Sequence, residues 1–346
     1  METFRPTQKD IARKAGVTQA TVSLALRNHP SIRPETAALV HRIADKLAYA
    51  PDPYLSGLSS YRSSKRAATV NATLAWISND TDGSSWKSSS VFSAYLAGAR
   101  ERAARLGYRL ETHCLRQPGM TPARLERILL TRNISGILLA PQPKSDSSID
   151  FPFDSFSAVT FGYTLASPRL HLVTWHQFRA METAFRKLLS LGYRRPGLAQ
   201  ALESDLRSDR NWSAAFLSEQ LRLPAAQRVP QLIDAHFDAA SLVAWYHRHK
   251  PDVIVTIWAE ALGWLRDAGI SVPGDVGLAL LSIPDGDTRF SGLSEQPRII
   301  GAKAVELVVD MIHRSERGIP EMQICMLTEG RWHDGATLRS PMVATA

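Results

Sequence analysis

Residues 15–23 read Ala-Gly-Val-Thr-Gln-Ala-Thr-Val-Ser, two short helical patterns on either side of one tight turn. Gly16 is the kind of residue that ends a helix by taking positive φ, and Thr18 is placed to cap the next one. Upstream, Thr7 reads as the cap of a first helix, with Asp10 adding negative charge near its positive dipole end. Ile11, Ala12 and Ala15 give that helix its apolar side, and Val22, Ala25 and Leu26 repeat at helical spacing in the second. A third helix from about Pro34 to Leu47 begins on a favourable proline and turns Ala37, Val40, Ile43, Ala44 and Leu47 inward. Three short helices with a Gly turn between the first two read as a helix-turn-helix. In that motif the second helix lies in the major groove and its first residues meet base edges. Here those residues are Thr18, Gln19, Ala20 and Thr21, small or polar and not needed for a core. The plain alternative is a small helical bundle with no nucleic-acid role.

Charge weighs against that alternative. Residues 1–66 hold 11 Lys or Arg against 5 Asp or Glu, a balance of +6, while the rest of the chain holds 30 against 28. Most of the formal net charge of +8 therefore coincides with the helix-turn-helix, where it supplies phosphate contacts and salt-sensitive DNA affinity. The 346 residues suffice for a small headpiece and a two-lobed body. Met1-Glu2-Thr3-Phe4-Arg5 has no apolar run behind it, and no stretch approaches the roughly 18 apolar residues of a membrane span. A cytoplasmic protein with no membrane partner is expected. Cys114 and Cys325 sit in apolar, strand-like stretches and are expected to be reduced core residues. No Cys or His spacing suggests a metal, and no cofactor is expected.

After residue 50, Pro51-Asp52-Pro53 breaks the third helix and opens a short segment, Tyr54 to Tyr61, marginal as a helix on its own. Leu55 and Leu58 share one face of it. A basic, serine-rich tether, Arg62 to Arg66, follows; a flexible linker with a chance Leu pair is the alternative reading. From about Thr69 the pattern becomes βαβ alternation: strands at 72–77, 108–114, 136–140, 158–161 and 170–174, with helices over about 89–106 and 122–132. It restarts near Phe178, with a helix through Met181, Phe185, Leu188 and Leu189, strands at 197–200, 251–257, 276–281 and 322–327 and helices over about 212–221, 260–268 and 301–313. Such alternation predicts doubly wound parallel sheets. Ligands in these sheets sit beyond the carboxyl ends of the strands. Those ends carry Asn79, Asp80, Gln142, Tyr163, Trp258, Ser282 and Asp285, with Arg210, Trp212 and Trp86 close to others. Glu203, Asp205, Asp209, Asp285 and Asp287 have no base, nucleophile or metal set at recognisable spacing. His171, His176, His247 and His249 read as surface residues.

The first sixty residues resemble the headpiece of the lac repressor and purine repressor family of bacterial transcription regulators. The resemblance rests on Lys9-Asp10-Ile11-Ala12, Ala15-Gly16-Val17-Thr18, Thr21-Val22-Ser23, Asn28, Glu35-Thr36 and Tyr49-Ala50-Pro51. It implies a homodimer reading a near-palindromic operator in double-stranded DNA through Thr7, Thr18, Gln19, Ala20, Thr21, Ser23, Leu24, Asn28, Tyr49 and Leu55. Leu58 is implied as a wedge in the minor groove. Leu24 departs from the family, which usually carries Arg or another polar residue there; leucine offers a base edge only contact with a thymine methyl. Farther on, residues 187–196, 268–276 and 304–307 resemble the periplasmic-binding-protein-like core of the same family. That core implies three crossings between lobes, near 174, 297 and 326.

The expected architecture is thus an all-α helix-turn-helix headpiece (1–50), a hinge (51–66) and an α/β core (67–346) of two doubly wound parallel-sheet lobes. Lobe one takes about 70–173 and 298–325, and lobe two about 174–297 and 326–340. The core departs from family sugar and nucleobase binders. Trp212 stands where they carry Arg, with Arg210 nearest; Ser282 stands for their Asp, with Asp285 displaced; His176-Gln177 replaces an Asp-Asn pair. The expected function is a non-enzymatic, ligand-responsive DNA-binding repressor, its effector a sugar or other small metabolite, with Trp86, Trp212 and Trp258 offering ring faces. A ligand-independent regulator, a solute-binding protein and a DNA-tethered enzyme are the alternatives.

Overall fold

A computed structural model of the chain describes residues 6–26, 31–47, 49, 72–80, 89–283 and 287–339. Three helices come first: α1 (Gln8–Ala15), α2 (Gln19–Ala25) and α3 (Pro34–Lys46). They close on Ile11, Ala12, Val22, Ala25, Val40 and Ala44, all buried, with Tyr49 packed against that core. Gly16 ends α1 at φ 66° with open space where a Cβ would stand, so the turn asks only for backbone freedom. Thr18 caps α2 as expected, its Oγ1 accepting the Thr21 N–H at 3.1 Å. At α1 the roles are reversed. Thr7 donates both its N–H and its hydroxyl to the Asp10 carboxylate, at 3.0 and 2.7 Å. Those two bonds hold the Asp10 carboxyl below the usual carboxylate range.

The body alternates strands and helices. Its first part runs β1 (Ala72–Ser78), α4 (Ser90–Arg105), β2 (Tyr108–Cys114), α5 (Pro122–Thr131), β3 (Gly136–Leu139), β4 (Ser147–Ser148), β5 (Ser157–Phe161), β6 (Leu165–Ser167) and β7 (His171–Trp175). Next come α6 (Gln177–Ser190), β8 (Pro196–Ala201), α7 (Leu202–Arg207), α8 (Asn211–Gln220), β9 (Leu232–Asp234), α9 (Ala239–His249), β10 (Val253–Thr256), α10 (Ala261–Asp267), β11 (Gly277–Leu280) and β12 (Ser291–Ser294). Last are α11 (Pro297–Arg314), β13 (Cys325–Thr328) and β14 (Arg331–His333). The sequence pattern had assigned nothing to α7, α9, β9, β12 or β14.

One six-stranded sheet has the order β13-β7-β5-β3-β1-β2 and is parallel throughout. The other has the order β14-β12-β11-β10-β8-β9 and is parallel except at β14. The chain passes between them after Trp175, between Ser294 and Pro297, and between Thr328 and Arg331. Strand alternation sorts the core: Leu74 and Trp76 join one cluster, while Ala75 and Ile77 join another on the opposite face of the sheet. With both faces covered, the strands read as nearly continuous apolar runs. Helices α4 and α11 cover one face together and meet backbone to backbone. A Cβ on Gly98 would lie 2.0 Å from the Arg298 carbonyl oxygen, and one on Gly301 would lie 2.0 Å from that of Tyr95.

Two side-chain expectations are corrected here. Cys114 is buried, but Cys325 is exposed, because β13 is an edge strand that turns alternate residues outward. His171 is buried on β7, its Nδ1 accepting the Ile324 N–H at 3.0 Å, so it ties the chain leading into β13 to the sheet. Burial also holds its imidazole below the ordinary histidine range.

Candidate reading helix and interlobe cleft

At the start of α2, Thr18, Gln19 and Ala20 are exposed, while Val22 and Ala25 on the same helix are fully buried. The core fixes the helix and leaves its N-terminal side chains free of packing. Thr7 is exposed, and Thr21, Ser23 and Leu24 are half-buried. Thr21 also engages the Thr18 hydroxyl at 2.8 Å, so the cap and the would-be reading residue share one hydrogen bond. Tyr49 is partly buried against the headpiece core. Asn28, Leu55, Leu58, Trp86 and Asp285 lie outside the described residues.

A cleft of about 180 Å³ opens between the two sheets, at the carboxyl ends of their strands. Pro141, Gly162 and Thr174 follow or end β3, β5 and β7 on one side; Ile257, Ser282 and Glu295 follow β10, β11 and β12 on the other. Phe92 and Tyr95 from α4, Phe161, Trp175 and Trp212 make the wall largely aromatic. Trp175 and Trp212 meet edge to face with ring centroids 5.1 Å apart.

Of the strand-end residues picked from sequence, Trp212 and Ser282 line this cleft. The other described ones do not, for local reasons. Tyr163 is flanked by two lining residues, Gly162 and Thr164, but is not itself part of the lining; Gly162, at φ 63°, bends the chain just after β5. Its hydroxyl is raised by burial to about 12. Ile257 lines the cleft, so its neighbour Trp258 turns into the second core and packs on Phe237 and Trp264. Asn79 and Gln142 bond to each other at 3.1 Å, behind the wall, and Asn79 also accepts from Arg116. Asp80 is buried, its carbonyl accepting the Cys114 thiol. Arg210 is exposed in left-handed backbone at the start of α8 and is absent from the lining.

The residues that sequence reading missed carry the cleft's polarity. Among the described residues its cation is Arg207, on α7. Its Nη1 donates to the carbonyl oxygens of Gln142 and Pro143 at 2.8 and 2.9 Å, and its guanidinium lies 5.7 Å from the Phe92 ring centroid. The turn that aims it is pinned by Asp205, which is buried and accepts from Gln200 Nε2, Ser213 Oγ and the Ser213 N–H. The cleft's carboxylate is Glu295, on the second crossing, 5% exposed. It accepts the Tyr95 hydroxyl at 2.7 Å and the Ser282 hydroxyl at 3.0 Å. Burial pushes its pKa up, and the two hydroxyls pull it partly back. Burial, followed by the neighbouring Glu295 charge, pushes the Tyr95 hydroxyl well above the ordinary tyrosine range. Gln177 lines the cleft too; its Nε2 donates to Thr174 Oγ1 at 3.3 Å, while its buried Oε1 meets no donor among the described residues. Alternation within each strand end had been legible; which residues of the loops beyond them fold back had not.

Residues 7–52 match the family profile of bacterial regulatory proteins, lacI family, and residues 185–336 match that of a periplasmic binding protein-like domain. Catabolite control protein A of Staphylococcus xylosus is 39% identical over 70 residues, 20% of each chain. The match thus spans a fifth of the length of the curated relatives. Among solved structures, a transcriptional regulator CelR–cellobiose complex is similar at TM-score 0.55 and 17% identity, over 96% of this chain and 100% of that one. The lac repressor dimer bound to operator and the anti-inducer ONPF is similar at TM-score 0.54 and 14% identity, over 96% and 99%. The helix-turn-helix profile at one end, the binding-protein profile in the body and one fold along nearly the whole length agree: the chain joins a lacI-family DNA-binding domain to a periplasmic-binding-protein-like body.

Proposed function

We propose that this chain is a cytoplasmic, homodimeric, sequence-specific DNA-binding transcription regulator whose interlobe cleft takes a small-molecule effector. The exposed N-terminus of α2, set on a buried three-helix core in the most basic fifth of the chain, carries the DNA reading. Thr18, Gln19 and Ala20 face the base edges; Leu24 restricts its contact to a thymine methyl. Leu55 and Leu58 form the hinge face, with Leu58 entering the minor groove at the operator centre. Two copies hold their headpieces about one helical turn apart on a near-palindromic site.

The cleft supports the second half of the reading. Its walls come from both sheets, so a ligand there changes how the lobes sit, and through the crossings it changes the spacing of the hinges. Coupling of this kind acts in both directions: operator DNA alters effector affinity by the factor by which effector alters operator affinity. Repression by occupying a promoter is the proposed outcome. No catalysis is proposed: the carboxylate that lines the cleft, Glu295, accepts the Tyr95 and Ser282 hydroxyls.

Selection of bound sequences from random DNA, using the full chain, is expected to return a palindromic consensus. Leu58→Ala is expected to lose affinity and specificity together. A solute-binding protein or a DNA-tethered enzyme predicts no palindrome. A ligand-independent regulator predicts the palindrome and no response of binding to any metabolite.

A further inference from the structure

Arg207 and Glu295 bring one cation and one carboxylate into a single cleft, and neither forms an ion pair among the described residues. Arg207 is anchored through Nη1 alone, by two carbonyl oxygens, and its plane rests on Phe92. Carbonyl oxygens orient a guanidinium without neutralising it. The acid closest in sequence, Glu203, has both oxygens committed to the Ser145 N–H and hydroxyl. What remains on Arg207, among the described residues, is the edge formed by Nε–H and Nη2, the pair of donors that meets a carboxylate bidentately.

The rest of the cleft asks for hydroxyl donors and a ring face. Among the described residues Gln177 Oε1 is a buried acceptor without a donor, a costly arrangement that a ligand hydroxyl relieves. The Glu295 oxygens each take one hydroxyl and keep a lone pair. Trp175 and Trp212 present aromatic surface beside these groups. The space, about 180 Å³, exceeds the roughly 150 Å³ that an engineered cavity needs for benzene, and fits one ring with its substituents.

We infer that the effector is a monosaccharide-sized sugar acid, an aldonate or uronate, whose carboxylate lies on the free edge of Arg207 and whose hydroxyls donate to Gln177 and Glu295. This rests on the reading of the cleft as an effector site. A sugar phosphate fits less well. Its charge, about −1.5 to −2 at neutral pH, would face a single cation with a carboxylate already in the same apolar surroundings. A neutral sugar cannot engage both donors of the Arg207 edge with one charged group as a carboxylate does.

The test is isothermal titration and thermal shift of the full chain with gluconate, galactonate, glucuronate and galacturonate, beside glucose, galactose and glucose 6-phosphate. At least one acid should bind about tenfold or more tightly than its neutral parent. Arg207→Gln should bring acid and parent to within about twofold of each other, since the fork carries the discrimination. Should Arg207→Gln fail to fold, Arg207→Lys, which keeps the charge and loses the fork, should still narrow the ratio. Equal or tighter binding of a neutral sugar, or tightest binding of the phosphate, overturns the acid assignment. If that neutral sugar also loses affinity in Trp212→Ala, the effector reading stands without it. Silence from every compound, with operator binding intact, removes the sugar-acid class and the support it lends to an effector in this cleft.

Discussion

Glu295 shows how one side chain can register the protein's whole arrangement. Its carboxylate is buried where the second crossing meets α4, and burial raises its proton affinity above that of the unfolded chain. Between the ordinary value of 4.5 and the raised one, the native state holds more protons than the unfolded state. Stability therefore falls as pH rises through that window, and the loss is complete above the raised value. Glu295→Gln keeps an acceptor and removes the titration. Urea unfolding between about pH 4 and pH 7 is expected to show the variant gaining on the wild type as pH rises. A gap that stays constant with pH would falsify the burial argument. At this scale the sequence pointed to the strand ends that meet at the cleft, and of their members Trp212 and Ser282 line it while others do not. Tyr163 gave way to Gly162 and Thr164, Trp258 to Ile257, and Arg210 to Arg207. A strand end names a place, and the φ of each following residue decides which side chain turns inward. Asp209 and Arg210 both adopt positive φ, and Arg210 ends up exposed.

Among elements, the headpiece helices carry their own instructions. The Thr18 cap is written in the sequence, and Thr18→Ala is expected to cost about 1 kcal/mol of headpiece stability. Amide exchange in α2 should accelerate in that variant while the body's amides keep their rates. The α4–α11 pair is different, because its contact depends on two glycines separated by some two hundred residues. Gly301→Ala would press a methyl against the Tyr95 carbonyl, and neither backbone can yield without moving a helix. The expected destabilisation is about 1–3 kcal/mol, measured by denaturant unfolding. Because Tyr95 also donates to Glu295, effector affinity should fall with it. Helix α9 was legible in principle: Asp238 and Ser241 form a capping box before Leu242, Trp245 and Tyr246. Its run of alanine, aromatic and basic residues gave a weak apolar stripe and hid it.

For the molecule as a whole, three polar links among the described residues span the cleft. Glu203 accepts from Ser145, Arg207 donates to the Gln142 and Pro143 carbonyls, and Glu295 joins Tyr95 to Ser282. The lobes are thus linked by their own side chains, and the effector proposed above would add to or replace those bonds. Glu203→Ala removes two of them. Being partly exposed, they should contribute only about 0.5–1.5 kcal/mol each, so the fold is expected to persist. Solution scattering should report a larger radius of gyration, and the Ser145 amide should exchange faster. Unchanged scattering and exchange would mean that the remaining links suffice to keep the lobes closed.

Local chemistry fixed the headpiece and the class of the body. A glycine turn, two caps, a proline start and helical spacing act over a few residues, and so does the strand–helix alternation that predicts parallel sheets. The basic balance of the first 66 residues is likewise a property of composition. What needed the tertiary structure was the chemistry of the cleft. Arg207, Glu295, Tyr95 and Gln177 come from four elements or crossings that lie far apart in the chain, and their roles depend on burial and on a partner's direction. Spacing along a sequence carries neither quantity, since both arise only when sheet order and the three crossings set distant segments side by side.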